Sequence, residues 1–189
     1  MSEKFNRKSA KGYDICVVFV FLFILLVTAD QFIKQVVVNN INLHGSVVVI
    51  DKFFSIYYAQ NTGSAFSLFA DQAWGIYFLT GVSIVLGLGI FILMLISARH
   101  SMKLLSLAFC LLTSGALGNL IDRIRLRYVV DYLRFDFGTY TFPIFNFADM
   151  CAVVGTILLI CIIVFGSKYF ESFWNILFKK RAKTDADSK

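Results

Sequence analysis

LLSLAFCLLTSGALGNLIDR, residues 104–123, is an apolar run that closes on an Asn, an Asp and an Arg. A hydrocarbon core takes about 17 to 25 mostly apolar residues at about 1.5 Å rise each, so Leu104 to Ile121 is long enough to cross one. Its polar end, Gly118-Asn119-Leu120-Ile121-Asp122-Arg123, then falls at a membrane surface. A second such stretch, Phe145-Asn146-Phe147-Ala148-Asp149, immediately precedes the apolar run from Met150 to Gly166. Two Asn/Asp pairs therefore bracket one loop.

The rest of the chain supports a membrane setting. Hydrophobic residues make up 58%, charged residues 16%, and mean hydropathy is +0.74, which departs from the balance of soluble domains on both counts. The expected architecture is a single all-α membrane domain, residues 1–189, with four transmembrane helices at 15–34, 74–98, 104–122 and 147–166. Residues 1–14 read as a polar leader without apolar periodicity, 99–103 as a tight turn, 123–146 as an outer loop and 167–189 as a tail. Lys4, Arg7, Lys8 and Lys11 precede the first span as they would a secretory signal. Signal cores are shorter, about 7 to 15 residues, and end at a small-x-small site; Val27-Thr28-Ala29-Asp30 is a poor match, which favours an anchored helix.

Basic residues orient the chain. The leader, the turn 99–103 and the tail (Lys179, Lys180, Arg181, Lys183) fall on one side if the helices alternate, and that side is expected to be cytoplasmic. Arg123, Arg125, Arg127 and Arg134 lie on the other side, kept there for a purpose or held against the membrane surface. The net charge of +6 thus reports topology, not nucleic-acid binding.

Asp30 and Lys34 stand at i and i+4, on one face of the first helix near its expected end. Ionisable groups near a bilayer usually face the protein interior or a wet cavity, although an interfacial ion pair ending the helix gives the same pattern. Residues 35–73 are too long for a simple connector and too polar to span. Val47 to Ile50 and Phe53 to Tyr58 have strand composition, and Gly63 to Phe69 reads as a short interfacial helix, so a small extramembrane β-sheet with that helix is expected on the outer face. The second span carries Gly81, Gly87 and Gly89, suited to close helix packing. Cys16, Cys110, Cys151 and Cys161 lie in apolar runs without CxxC spacing, and His44 and His100 lie in separate loops, so no metal or Cys–His site is expected.

With both termini inside, Asp30, Asp122 and Asp149 converge on the outer face. Two neighbouring carboxyls sharing a proton can activate water and polarise a carbonyl. The same carboxylates would serve as helix caps or ion-pair partners in a structural tetraspan protein, and a transporter would place such groups nearer the midplane.

Five ordered motifs carry a closer resemblance: Asp30-Gln31-x-x-Lys34, Asn61-Thr62-Gly63-Ser64-Ala65-Phe66-Ser67, Gly118-Asn119-x-x-Asp122-Arg123, Val130-Asp131-Tyr132 and Phe142-Pro143-x-Phe145-Asn146-x-Ala148-Asp149. In these the chain resembles the lipoprotein signal peptidases (signal peptidase II), bacterial aspartic endopeptidases. Met150 and Ser114 depart from the residues common there. The resemblance implies Asp122 and Asp149 as the catalytic pair, with Asp30, Lys34, Asn61, Gly63, Gly115, Asn119, Arg123 and Asn146 supporting the site or the substrate. It implies a diacylglyceryl-modified prolipoprotein as substrate, cut before the modified Cys, in the cytoplasmic (inner) membrane among membrane lipids. Inhibition by globomycin, a monomeric enzyme and no metal or organic cofactor are further implications. Residues 61–69 are expected to cover the site and to open for substrate. Helix dipoles favour negative charge on Asp149 and disfavour it on Asp122.

The basic-residue pattern makes a direct prediction. In a Cys-free protein in intact cells, an impermeant maleimide labels Gln60→Cys and not Glu3→Cys; labelling at position 3 from outside would overturn the topology.

Overall fold

The computed structural model describes residues 2–62 and 75–186, with side chains for residues 12–62, 77–78 and 80–178. In chain order the elements are α1 (Ser2–Asn40), β1 (Ser46–Ile50), β2 (Phe54–Asn61), α2 (Gly75–Arg99), α3 (Lys103–Leu126), β3 (Val129–Phe137), β4 (Tyr140–Thr141), α4 (Phe147–Phe165) and α5 (Ser167–Ala186). Four stretches are long and apolar enough to cross a membrane: Gly12–Asn40, Thr80–Arg99, Lys103–Leu126 and Phe147–Phe165.

The helix read first in the sequence is the hub of the bundle. More than half of the α3 span is buried (56%), against 17% to 22% for the other three, because α1, α2 and α4 all pack on it. The outer helices turn apolar side chains outward, with Val17 69%, Val85 70% and Phe165 85% exposed, a surface that only lipid satisfies. Inside the bundle, Ser106, Thr113 and Ser114 donate to carbonyls one turn back on their own helix, so the buried hydroxyls cost little.

Glycine sets how closely α3 and α4 approach, and the tightest approach lies there and not on α2. A Cβ on Gly118 would lie 2.6 Å from Asp30 Oδ2 and 3.0 Å from Ala148 Cβ, and one on Gly115 would collide with the Ala148 carbonyl. On α2, Gly87 lies against α3, with Ala116 Cβ 4.0 Å from where its Cβ would stand, while Gly81 and Gly89 meet nothing among the described residues. The tightest small-residue seam is therefore between α3 and α4, with Gly87 alone of the three α2 glycines facing α3.

Residues 2–14, read as a polar leader, are helical and continuous with α1, which runs beyond Lys34 to Asn40. The extension past Lys34 has a packing reason: Val37 is buried in a cluster with Tyr58, Val130 and Tyr132, so the last turns of α1 support the sheet. Within the stretch read as a tail, residues 167–186 form α5, and Phe173 packs against Phe109 with ring centroids 5.8 Å apart.

The sheet expected from residues 35–73 is present and larger than anticipated. Its antiparallel order is β1-β2-β3-β4, and half of it comes from the stretch read as an outer loop. Val129–Phe137 supplies the β-branched and aromatic residues that suit a half-buried strand, and it pairs with β2 through Ala59↔Asp131 and Asn61↔Val129. A register shift between Ile56 and Ala59 marks a bulge beside Tyr58. Arg127, at φ 69, ends α3 with its N–H on the Arg123 carbonyl, turning the chain into β3. The interfacial helix expected at residues 63–69 lies outside the described residues.

Gly118→Ala is expected to destabilise the fold by about 1–3 kcal/mol through overpacking, seen as a lowered thermal unfolding midpoint in detergent. Gly81→Ala should leave that midpoint unchanged. Equal midpoints for the two variants would contradict the assigned seam.

Candidate active site

The site is built from a buried ion cluster upward. Lys34 Nζ lies 2.9 Å from Asp30 Oδ2 and 2.9 Å from Asp122 Oδ2, and donates to Asn119 Oδ1 at 3.0 Å. The three charged side chains are only 1% to 3% exposed, so this is no interfacial pair. One ammonium faces two carboxylates, and N–H donors absorb the excess negative charge. Gln31 Nε2 reaches Asp122 Oδ1 at 3.0 Å and Asp30 Oδ2 at 3.2 Å, Ala148 N donates to Asp30 Oδ1 at 2.9 Å, and Val130 N donates to Asp122 Oδ2 at 3.1 Å. Breaking a buried pair on one side costs about 3–5 kcal/mol, so the cluster fixes α1, α3, the start of α4 and the start of β3 together.

Asn119 carries this order to the second carboxylate. Its Oδ1 accepts from Lys34, and its Nδ2 donates to Asp149 Oδ1 at 2.8 Å. Asp149 sits three residues past Asn146, the N-cap of α4. The two close a capping box, Asn146 N donating to Asp149 Oδ2 and Asp149 N to Asn146 Oδ1, both at 3.0 Å. The cap itself is thus Asn146, while Asp149 holds its carboxylate at the positive end of the α4 dipole.

Asn146 also reaches a third acid. Wholly buried, it donates from Nδ2 to Asp131 Oδ1 at 2.7 Å, with Asn119 Oδ1 at 3.1 Å. Asp131 Oδ2 accepts from Asn61 Nδ2 at 2.9 Å across the β2–β3 ladder. Burial pushes the Asp131 carboxyl up to about 6; Asn61 pulls it back, and negative Asp149 nearby raises it again.

A cleft of about 390 Å³ opens beside these groups. Its polar lining is Asn61, Asn119, Arg123, Asp131 and Asp149, and Phe142, Pro143, Phe145, Ala152 and Val153 give it apolar walls. Arg123 Nε is buried without a hydrogen-bond partner among the described residues.

Of the residues singled out in the sequence, Asp30, Lys34, Asn119 and Asp122 meet in the ion cluster, and Asn61, Asn119, Arg123 and Asp149 meet in the cleft. Asn146 stands behind Asp131 and Asp149. Gly115 lies under Ala148 at the α3–α4 seam, and Gly63 falls outside the described residues. Asp122 does not line the cleft. Sequence reasoning gave no role to Asp131 or Gln31, although Asp131 had a signal: a carboxylate set between Val129-Val130 and Tyr132-Leu133, in the Val130-Asp131-Tyr132 motif.

The chain matches the family described as signal peptidase (SPase) II over residues 22–165. Among its relatives, the lipoprotein signal peptidase of Clostridium tetani is 38% identical over 146 residues, 77% of this chain and 91% of that protein. That of Geobacter sulfurreducens is 42% identical over 130 residues, 69% and 81%. A bacterial membrane enzyme structure obtained by the in meso method at 2.3 Å resolution superposes with a TM-score of 0.70 at 27% identity, covering 79% of this chain and 89% of that one. The chain belongs to the signal peptidase II family.

Proposed function

We propose that the cleft is the site where the signal peptide of a prolipoprotein is hydrolysed, with Asp131 and Asp149 as the working carboxyl pair. As a member of its family the chain is a membrane peptidase. The observation that carries the choice of pair is Asn146: a single buried side chain and its backbone hold both Asp131 and Asp149, and both acids border the cleft. Asp122, the partner expected from the sequence, has its oxygens occupied by Lys34, Gln31 and Val130 N. It acts as a positioning residue that holds Lys34, and through Lys34 Asn119, in place.

Asp149, at the N-terminus of α4, takes a proton from water. The water oxygen bonds to the carbonyl carbon before the modified Cys, while protonated Asp131 donates a hydrogen bond to the carbonyl oxygen. The C–N bond then breaks, and the proton held on Asp149 passes to the leaving Cys nitrogen. Asp131 suits the protonated role because burial already favours its neutral form. Arg123 Nε, without a hydrogen-bond partner among the described residues, is a donor for a substrate carbonyl, and Val153, on the exposed face of α4, borders the route by which an acyl-anchored substrate would enter. The basic-residue pattern supports a cleft on the outer face of the cytoplasmic membrane with both termini inside. Each group in the pair comes from one chain, which fits a monomer, and globomycin would act by occupying this cleft. Residues 61–69 would cover it.

Asp131→Asn and Asp149→Asn are each expected to lower kcat by roughly 10²–10⁴-fold with the thermal midpoint near that of the parent. Asp122→Asn should lower the midpoint first and retain more activity. Full activity in Asp131→Asn beside none in a stably folded Asp122→Asn would return the role to Asp122.

The proton on Asp131 gives a second test. Its folded-state value, about 6, lies above the ordinary 3.8, so folding favours the protonated form. That contribution is complete below the ordinary carboxylate range and is lost as pH rises through about 6. Infrared difference titration should show a protonated carboxyl band that disappears near pH 6, persists in Asp122→Asn and is absent from Asp131→Asn. A band that instead vanishes with Asp122→Asn would reverse the assignment.

A further inference from the structure

α5 carries apolar side chains on two faces; the bundle covers one of them and, on the other, only its first ring, Phe170. Phe173 is 2% exposed and packs with Tyr169 and Ile176 into the cluster around Met94, Leu105 and Phe109. The Tyr169 hydroxyl faces the backbone N–H groups of Leu104 and Leu105, at an α3 N-terminus that has no side-chain cap. The helix is therefore fixed against the bundle at the membrane face opposite the cleft, where α4 ends. Its second stripe starts at Phe170, half-buried against the same cluster, and continues outward through Trp174 and Phe178 at i+4 and i+8. Ring centroids are 6.5 Å apart for the first pair and 4.3 Å for the second, and Trp174 is 53% and Phe178 49% exposed.

We propose that this stripe is inserted into the headgroup region of an anionic phospholipid leaflet. Two observations select lipid as the occupant. The stripe continues the lipid-facing surface of α4, whose last residues Val164 and Phe165 are 61% and 85% exposed, across the single residue Gly166. The helix sequence then runs into Lys179-Lys180-Arg181-Ala182-Lys183, and α5 as a whole carries five basic residues against two acidic ones. Aromatic rings at the hydrocarbon boundary beside clustered Lys and Arg are the composition of an interfacial helix. Each charge near an anionic surface contributes roughly fivefold in affinity. Because Phe173 and Tyr169 bind the same helix to α3, lipid contact on one face would hold the end of α3 opposite the cleft at a fixed depth. The inference does not depend on the catalytic assignment.

The test uses the full chain carrying Trp74→Phe, which leaves Trp174 as its one indole, in phosphatidylcholine bilayers. Lipid brominated high in the acyl chain is expected to quench Trp174 while aqueous iodide does not. Brominated phosphatidylglycerol at the same fraction should quench more than brominated phosphatidylcholine. That excess should disappear in the Lys179→Gln/Lys180→Gln/Arg181→Gln/Lys183→Gln chain. A fluorophore on Trp174→Cys in a Cys-free chain gives the same comparison should Trp74→Phe disturb folding. Iodide quenching without bromolipid quenching overturns the proposal, as does shielding from both with cross-linking between copies through α5. Equal quenching by the two lipids overturns the anionic partner.

Discussion

The Lys34 ammonium, shared between Asp30 and Asp122 at 2.9 Å each, is the interaction on which the rest of the structure depends. In a bilayer an uncompensated charge has nowhere to go but into the protein, so the helices that carry these residues must meet. Two carboxylates against one ammonium would leave a charge unbalanced. Three donors from elsewhere in the chain, Gln31 Nε2, Ala148 N and Val130 N, tie that excess to α4 and β3. The cluster thus converts a desolvation cost into a specification of which four elements come together.

The seam between α3 and α4 follows from the same point. Asp30 Oδ2 occupies the space that a side chain on Gly118 would need, and the Ala148 carbonyl occupies that of Gly115. The missing side chains bring the end of α3 against the start of α4, and Asn119 then reaches both Lys34 and Asp149. The ion cluster and the cleft form adjoining layers. The buried layer is charged and closed, while the layer above it has amide-held acids bordering an apolar-walled cleft.

The sheet supplies what the helices lack. β3 enters directly after the αL turn at Arg127, and its register on β2 sets Asp131 within reach of Asn61. An acid on a strand and an acid at a helix N-terminus are held by one asparagine. Their environments differ, burial acting on Asp131 and the helix end on Asp149. Such a difference is what a pair needs if one member is to hold a proton while the other takes one.

By itself the sequence determined the membrane class, the four spans, the strands β1 and β2, and the set of polar residues that had to be reconciled near one membrane face. Apolar length and local composition are sufficient for these, because lipid imposes them residue by residue. It also carried the family, through motifs such as Gly118-Asn119-x-x-Asp122-Arg123. What it did not decide was the partnership of the acids. Asp122 precedes an Arg and ends an apolar run, which made it look available, yet Lys34, 88 positions earlier in the chain, takes up its charge. Asp131 sat in a stretch read as a loop, and only the pairing of β3 with β2 turns its side chain toward Asn61 and the cleft. Ion pairing and strand register join residues far apart in the chain, and local pattern contains no record of either. Tertiary structure therefore had to decide which carboxylate is enclosed by the ion cluster and which borders the cleft.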